Sequence, residues 1–160
     1  SYPEQKEVTK KWIDVREENP VPAKYYLSTT YIETLKRHKA RHEAKGHGFG
    51  YDIIPDDGIA HAIVVGGMGR ECNLVIDFRQ KDLTPTTRIK GEVNKQGWRK
   101  MTPREWARLQ GYPDNFRIVV ADASAYKQFG NSVAVPAIQA TAKQLLKTLN
   151  DKNILKIWEH

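Results

Sequence analysis

Near the end of the chain, apolar residues recur at three- and four-residue steps: Val135, Ile138, Ala142, Leu145, Leu146 and Leu149. That period lays them along one stripe of an α-helix. The helix is expected to start near residue 132 or 135, with Pro136 accepted in its first turn. A second helix is marked by its ends. Thr30 and Glu33 have the spacing of a capping box, and Gly46 suits a C-terminal stop. Between them the pattern is basic, with Lys36, Arg37, His38, Lys39, Arg41, His42 and Lys45. Residues 47–78 read differently. Glycines at 48, 50, 58, 66, 67 and 69 break up short apolar runs at 53–54, 59–65 and 74–78, as in a small β-rich unit. Thr102-Pro103-Arg104-Glu105 reads as N-cap, proline at N1 and glutamate at N3 of a third helix, which stops at Gly111 before Pro113. A shorter helix is expected from an N-cap at Asp122 to Phe129, with Gly130 as a left-handed terminator. The first stretch, residues 1–27, is weakly periodic and punctuated by Pro3, Pro20 and Pro22. It reads as a linker or as short segments that dock elsewhere.

Composition narrows the class. The chain has 160 residues, 39% hydrophobic and 28% charged, with mean hydropathy −0.65. That suits one domain or two small ones with a modest core. No run approaches the roughly 18–20 apolar residues of a membrane span, and residues 1–4 begin no signal-like apolar stretch. Cys72 is the single cysteine, so neither an internal disulfide nor a multi-cysteine metal site is expected. These features suggest an intracellular protein with no membrane partner and no metal.

Charge adds a partner. The net charge is +7 and the isoelectric point about 9.5, a balance that favours polyanions through phosphate neutralisation. The basic face of the second helix reads either as a solvated surface or as a DNA-backbone contact. The tip Val65-Gly66-Gly67-Met68-Gly69-Arg70 reads either as a flexible hairpin loop or as backbone that approaches a ligand closely. A second polar, basic loop runs over residues 84–97, with Arg88, Lys90 and Lys95 in it and Arg99 and Lys100 just beyond.

Two longer runs carry the chemistry. RKMTPREWARLQGYPDNF at residues 99–116 resembles motif IX of DNA cytosine-C5 methyltransferases, and AYKQFGNSVAVP at residues 125–136 resembles motif X of the same family. The resemblance implies a division of the chain. Residues 1–23 would be a linker after the catalytic half, 24–115 a target-recognition domain that includes motif IX, and 116–160 a motif X segment packing on the catalytic domain. Tyr2-Pro3 is similar to the stretch soon after motif VIII. The implied fold is α+β: a small β-rich target-recognition domain, plus a helical C-terminal segment that completes a Rossmann-like methyltransferase domain supplied elsewhere.

What these residues lack matters as much. There is no Phe-x-Gly-x-Gly, Pro-Cys-Gln, Glu-Asn-Val or Gln-x-Arg-x-Arg motif. Family members attack cytosine C6 with a thiolate, which lets C5 accept a methyl group from S-adenosyl-L-methionine. Cys72 sits in Gly-Arg-Glu-Cys-Asn, not in that nucleophile's setting, and reads as an ordinary packed or loop thiol. No catalytic residue is expected here.

By resemblance, Asn131 and Ser132 lie at the S-adenosyl-L-methionine site, shared with the catalytic half; Ser132 reads alternatively as a helix cap only. Arg70 and Arg88 are the first candidates for base reading, since arginine pairs bidentately with guanine, and Asn73 and Asn94 are weaker ones. Lys36, Lys39, Arg41, Lys90 and Lys95 are candidates for backbone contact. Thr102, Pro103, Arg104 and Glu105 are expected to be structural, with Arg104 in a buried pair or on DNA. The implied partners are double-stranded DNA and a methyltransferase subunit or segment bearing the nucleophilic cysteine. The setting is a restriction–modification system in the bacterial cytoplasm. The alternative is a stand-alone DNA-binding module without a catalytic role.

Overall fold

The computed structural model describes residues 10–66, 69–84 and 91–151. Tyr2-Pro3, Arg88, Lys90 and the apolar residues after 151 lie outside the described residues.

The described elements are α1 (Trp12–Val15), α2 (Thr29–Glu43), β1 (Leu74–Ile76), β2 (Trp98–Lys100), α3 (Pro103–Leu109), α4 (Asp122–Asn131) and α5 (Val135–Asp151). The sheet is smaller than the glycine-punctuated pattern suggested. Among the described residues it has two antiparallel three-residue strands, with Leu74 opposite Lys100, Val75 opposite Arg99 and Ile76 opposite Trp98. Isolated bridges join Tyr26 to Arg99, Ser28 to Val93 and Ile53 to Leu74. The apolar run 59–65 forms no strand. Its backbone is held by a side chain instead, since Asn73 both accepts from His61 N (2.8 Å) and donates to His61 O (3.1 Å).

Local chemistry explains the helix ends, with three corrections. Ser28, not Thr30, caps α2: its Oγ accepts from Tyr31 N at 3.2 Å. Gly46 follows at φ +74°, as a left-handed stop requires. Thr102 caps α3 with the full capping box to Glu105 and Pro103 in the first turn. Ala121, not Asp122, holds the N-cap position of α4, with no side-chain cap, and the helix runs through Gly130 to Asn131, so Gly130 is a helical residue and not a left-handed terminator. The reason for a glycine there is a neighbour. A Cβ at 130 would lie far inside van der Waals contact with Val65 Cγ2. Gly111 does both jobs: its φ is +80°, and a Cβ would overlap the ring of Pro136.

The main core joins α1, α3 and α4 to the sheet through Trp12, Val15, Ile54, Val75, Met101, Trp106, Ala107, Ala125, Tyr126 and Phe129. Residues 10–23, expected as a linker, are therefore part of the packed body. Trp12 and Val15 are fully buried, and Val21 packs with Tyr26 and Val93. Ile32 and Leu35, one turn apart on α2, close a second cluster with Leu27 and Leu74. α5 differs from the rest: none of its residues is buried.

Candidate nucleic-acid face and cofactor-side turn

Arg99 is a buried hub that joins β2 to α3. It is fully buried on β2. Its Nε donates to Asp77 at 3.0 Å, and Nη1 and Nη2 donate to the two oxygens of Glu105 at 2.8 Å each. Its guanidinium also lies 5.4 Å from the Trp12 ring centroid. Asp77 takes three further bonds from Arg79, one from its backbone N–H and two from its guanidinium, which in turn donates to the carbonyls of Glu17 and Glu18. Burial pushes the Asp77 carboxyl up, but the Arg79 hydrogen bonds and the charges of Arg99 and Arg79 outweigh it and hold the group at about 2. Glu105 also accepts from Thr102 N and Glu17 N. The buried pair considered for Arg104 thus belongs to Arg99. Arg104 instead donates to Phe116 O at 2.6 Å, which ties α3 to the turn that follows it.

The glycine-rich loop meets α4. Gly66 has φ +83°, and Gly69 N donates to Gly66 O at 3.1 Å. Arg70 is exposed, with its guanidinium 5.4 Å from the Tyr126 ring centroid. Stacking leaves the guanidinium's in-plane N–H groups as donors. The two asparagines proposed as base readers are corrected by their burial. Asn73 has no exposed surface and spends its amide on His61. Asn94 is 2% exposed; its amide donates to Leu27 O and Trp98 O and accepts from Gln96 N and Trp98 N. Buried in this way, neither amide is presented to a base edge.

The candidate backbone contacts divide. Lys36 and Lys95 are exposed and line one recess of about 320 Å³ between α2 and the 92–96 turn. Arg41 is exposed farther along α2. Lys39 is half-buried, with Nζ donating to Tyr51 O at 3.2 Å and lying 4.9 Å from that ring's centroid. Its charge serves the fold first. Sequence reasoning missed an imidazole stack beside these lysines: His38 and His42, one turn apart, have ring centroids 4.4 Å apart. The four-residue spacing was the available signal.

The motif X turn sits at the end of α4. Asn131 is exposed, while Ser132 is half-buried and donates its hydroxyl proton to Phe129 O at 2.7 Å. With that proton committed, Ser132 Oγ has only acceptor capacity left, which fits an ammonium better than a carboxylate. Gln110 of motif IX fixes the turn: its side-chain amide donates to Phe129 O (2.9 Å) and Ser132 O (3.3 Å), and its backbone carbonyl accepts from Val135 N (2.8 Å). Cys72 is half-buried, with Sγ 3.7 Å from Gly50 O. Burial, then Glu71 and Asp52, push its thiol up, the opposite of what an attacking thiolate needs.

The family model for C-5 cytosine-specific DNA methylase matches residues 1–147. The chain belongs to that family. It is 71% identical over 151 residues to Type II methyltransferase M.HpaII of Haemophilus parainfluenzae, covering 94% of this chain and 42% of the relative. It is 37% identical over 132 residues to Type II methyltransferase M1.ScrFI of Lactococcus lactis subsp. cremoris, covering 82% and 30%. The chain thus spans under half the length of these methyltransferase relatives. Among solved structures, the Entamoeba histolytica methyltransferase EhMeth superposes with a TM-score of 0.63 at 18% identity, over 93% of this chain and 44% of that one. S. pombe Dnmt2 methyltransferase gives 0.60 at 16% identity, over 88% and 43%. At these identities the likeness is one of fold: helices with a small sheet, shared with methyltransferases. Among the described residues, no helix is long and apolar enough to cross a membrane.

Proposed function

We propose that these residues select the DNA site and complete the cofactor pocket of a DNA (cytosine-5-)-methyltransferase of a restriction–modification system in the bacterial cytoplasm. The nucleophilic cysteine is supplied from outside them, by another subunit or another segment. The observation that carries this reading is the pairing of two features. The motif IX helix and motif X turn are built and locked together by Gln110, while the single cysteine is a half-buried thiol shifted away from reactivity.

In this reading residues 24–115 bear the recognition surface and 116–160 dock on a Rossmann-like catalytic domain. Arg70 reads a base edge, joined by Arg88. Lys36, Arg41 and Lys95, with Lys90, follow the phosphates. Asn131 and Ser132 face the amino-acid end of S-adenosyl-L-methionine, which supplies the methyl group when bound. The exposed apolar side chains of α5, Ile138, Leu145 and Leu146 at 55%, 58% and 56% exposure, favour an enzyme part over a stand-alone DNA-binding module. A solvated helix has no use for such a stripe.

The test is methyl transfer. Alone, the chain is expected to move no labelled methyl from S-adenosyl-L-methionine to duplex DNA. Mixed with a polypeptide carrying the Pro-Cys-Gln and Phe-x-Gly-x-Gly motifs, it should restore transfer. Robust transfer by the chain alone would overturn the proposal.

A further inference from the structure

The recognition loop and the cofactor-side turn share one support. α4, which ends in the Asn131–Ser132 turn, is pinned from below. Ala125, Tyr126 and Phe129 are buried, the Tyr126 hydroxyl donates to Met101 O, and its ring meets Trp106 edge-on at 4.9 Å. The two ends of the glycine-rich loop meet the same helix. Val65 rests against Gly130, and Arg70 stacks on Tyr126. A recess of about 170 Å³ separates loop from helix between these contacts.

We propose that α4 is the seat of the DNA-reading loop, with Gly130 and Val65 as positioning residues that set the loop's height relative to the cofactor-side turn. This rests on the reading of the glycine-rich loop that ends at Arg70 as a DNA-reading loop. The physical argument is which side yields. α4 is held by three buried side chains, whereas Val65 is 38% exposed on a loop bordered by glycine. A methyl group added at 130 would therefore lift the loop and leave the helix in place. A residue on the cofactor side would thereby govern the choice of DNA sequence.

The contact makes a reciprocal test. Gly130→Ala drives a Cβ into Val65 Cγ2, but that Cβ would stand at ordinary distance from Val65 Cβ, at 3.5 Å. Val65→Ala removes the offending carbon. The double variant should therefore reseat the loop, with the new methyl group filling the space that the Val65 methyls leave.

The assay uses the enzyme reconstituted with a catalytic part, acting on duplexes with a randomised centre. Methylated products are sequenced, and discrimination is the ratio of the preferred site to its single-base variants. Gly130→Ala is expected to lower discrimination about tenfold, Val65→Ala about threefold, and the double variant to lie within about twofold of the parent, as coupled contact residues behave. Thermal unfolding of each variant checks that it is folded. If Gly130→Ala does not fold, Val65→Ala and the double variant still decide. Unchanged discrimination in folded variants, or no recovery in the double variant, would overturn the proposal. A parent enzyme with no site preference would instead overturn the recognition reading beneath it.

Discussion

Removing the Arg99 guanidinium would leave the buried Glu105 carboxylate without a cation and Asp77 with Arg79 alone, both carboxylates being essentially unexposed. Breaking a buried pair by deleting one partner costs about 3–5 kcal/mol, far more than the pair contributes against an apolar substitute. Arg99→Met is therefore expected to lower unfolding stability by about that amount in a urea titration; a loss below about 1 kcal/mol would mean that the carboxylates find other partners. Acid acts on the same cluster. Asp77 is held at about 2, below its ordinary 3.8. A carboxyl depressed on folding contributes fully above the unfolded value and loses that contribution as pH falls toward the folded one. The urea midpoint should fall between about pH 4 and pH 2, and Asp77→Asn should flatten that part of the curve. None of this was legible in the sequence, where Arg99 follows Lys95 and precedes Lys100 and reads as one more exposed cation. Its partners stand 22 and 6 residues away, and burial is decided by contacts of that kind. The same holds for Asn94, which looks like a loop base reader until the carbonyl of Leu27, 67 residues away, takes its amide.

At the scale of elements, the signals that succeeded were local ones. The Thr102–Glu105 capping box, Pro103 and Gly111 act within one turn of α3, and each stands where the sequence put it. α2 shows the limit. Thr30 and Glu33 have the right spacing, but Ser28, held by its own bridge to Val93, takes the cap. Ser28→Ala is thus expected to cost about 1 kcal/mol and Thr30→Ala only a few tenths. The reverse order in thermal unfolding would restore the first reading. The run 59–65 forms no strand, and nothing in its own pattern reveals that Asn73 would take both backbone hydrogen bonds of His61.

At the scale of the molecule, the family was legible because motifs IX and X are long and ordered, and the family model then matched residues 1–147. The division into linker, recognition domain and C-terminal segment was less so. A core drawn from α1, α3, α4 and the sheet ties those segments together, and composition says nothing about such closure. The proposed labour remains simple. This body chooses the sequence, and a partner body supplies the thiolate. The most direct measurement is to reconstitute methyl transfer with catalytic parts taken from two relatives of different site preference, and to sequence the methylated DNA. The same preferred site should appear with both catalytic parts, set by the chain described here; a site that follows the catalytic part instead would contradict the account.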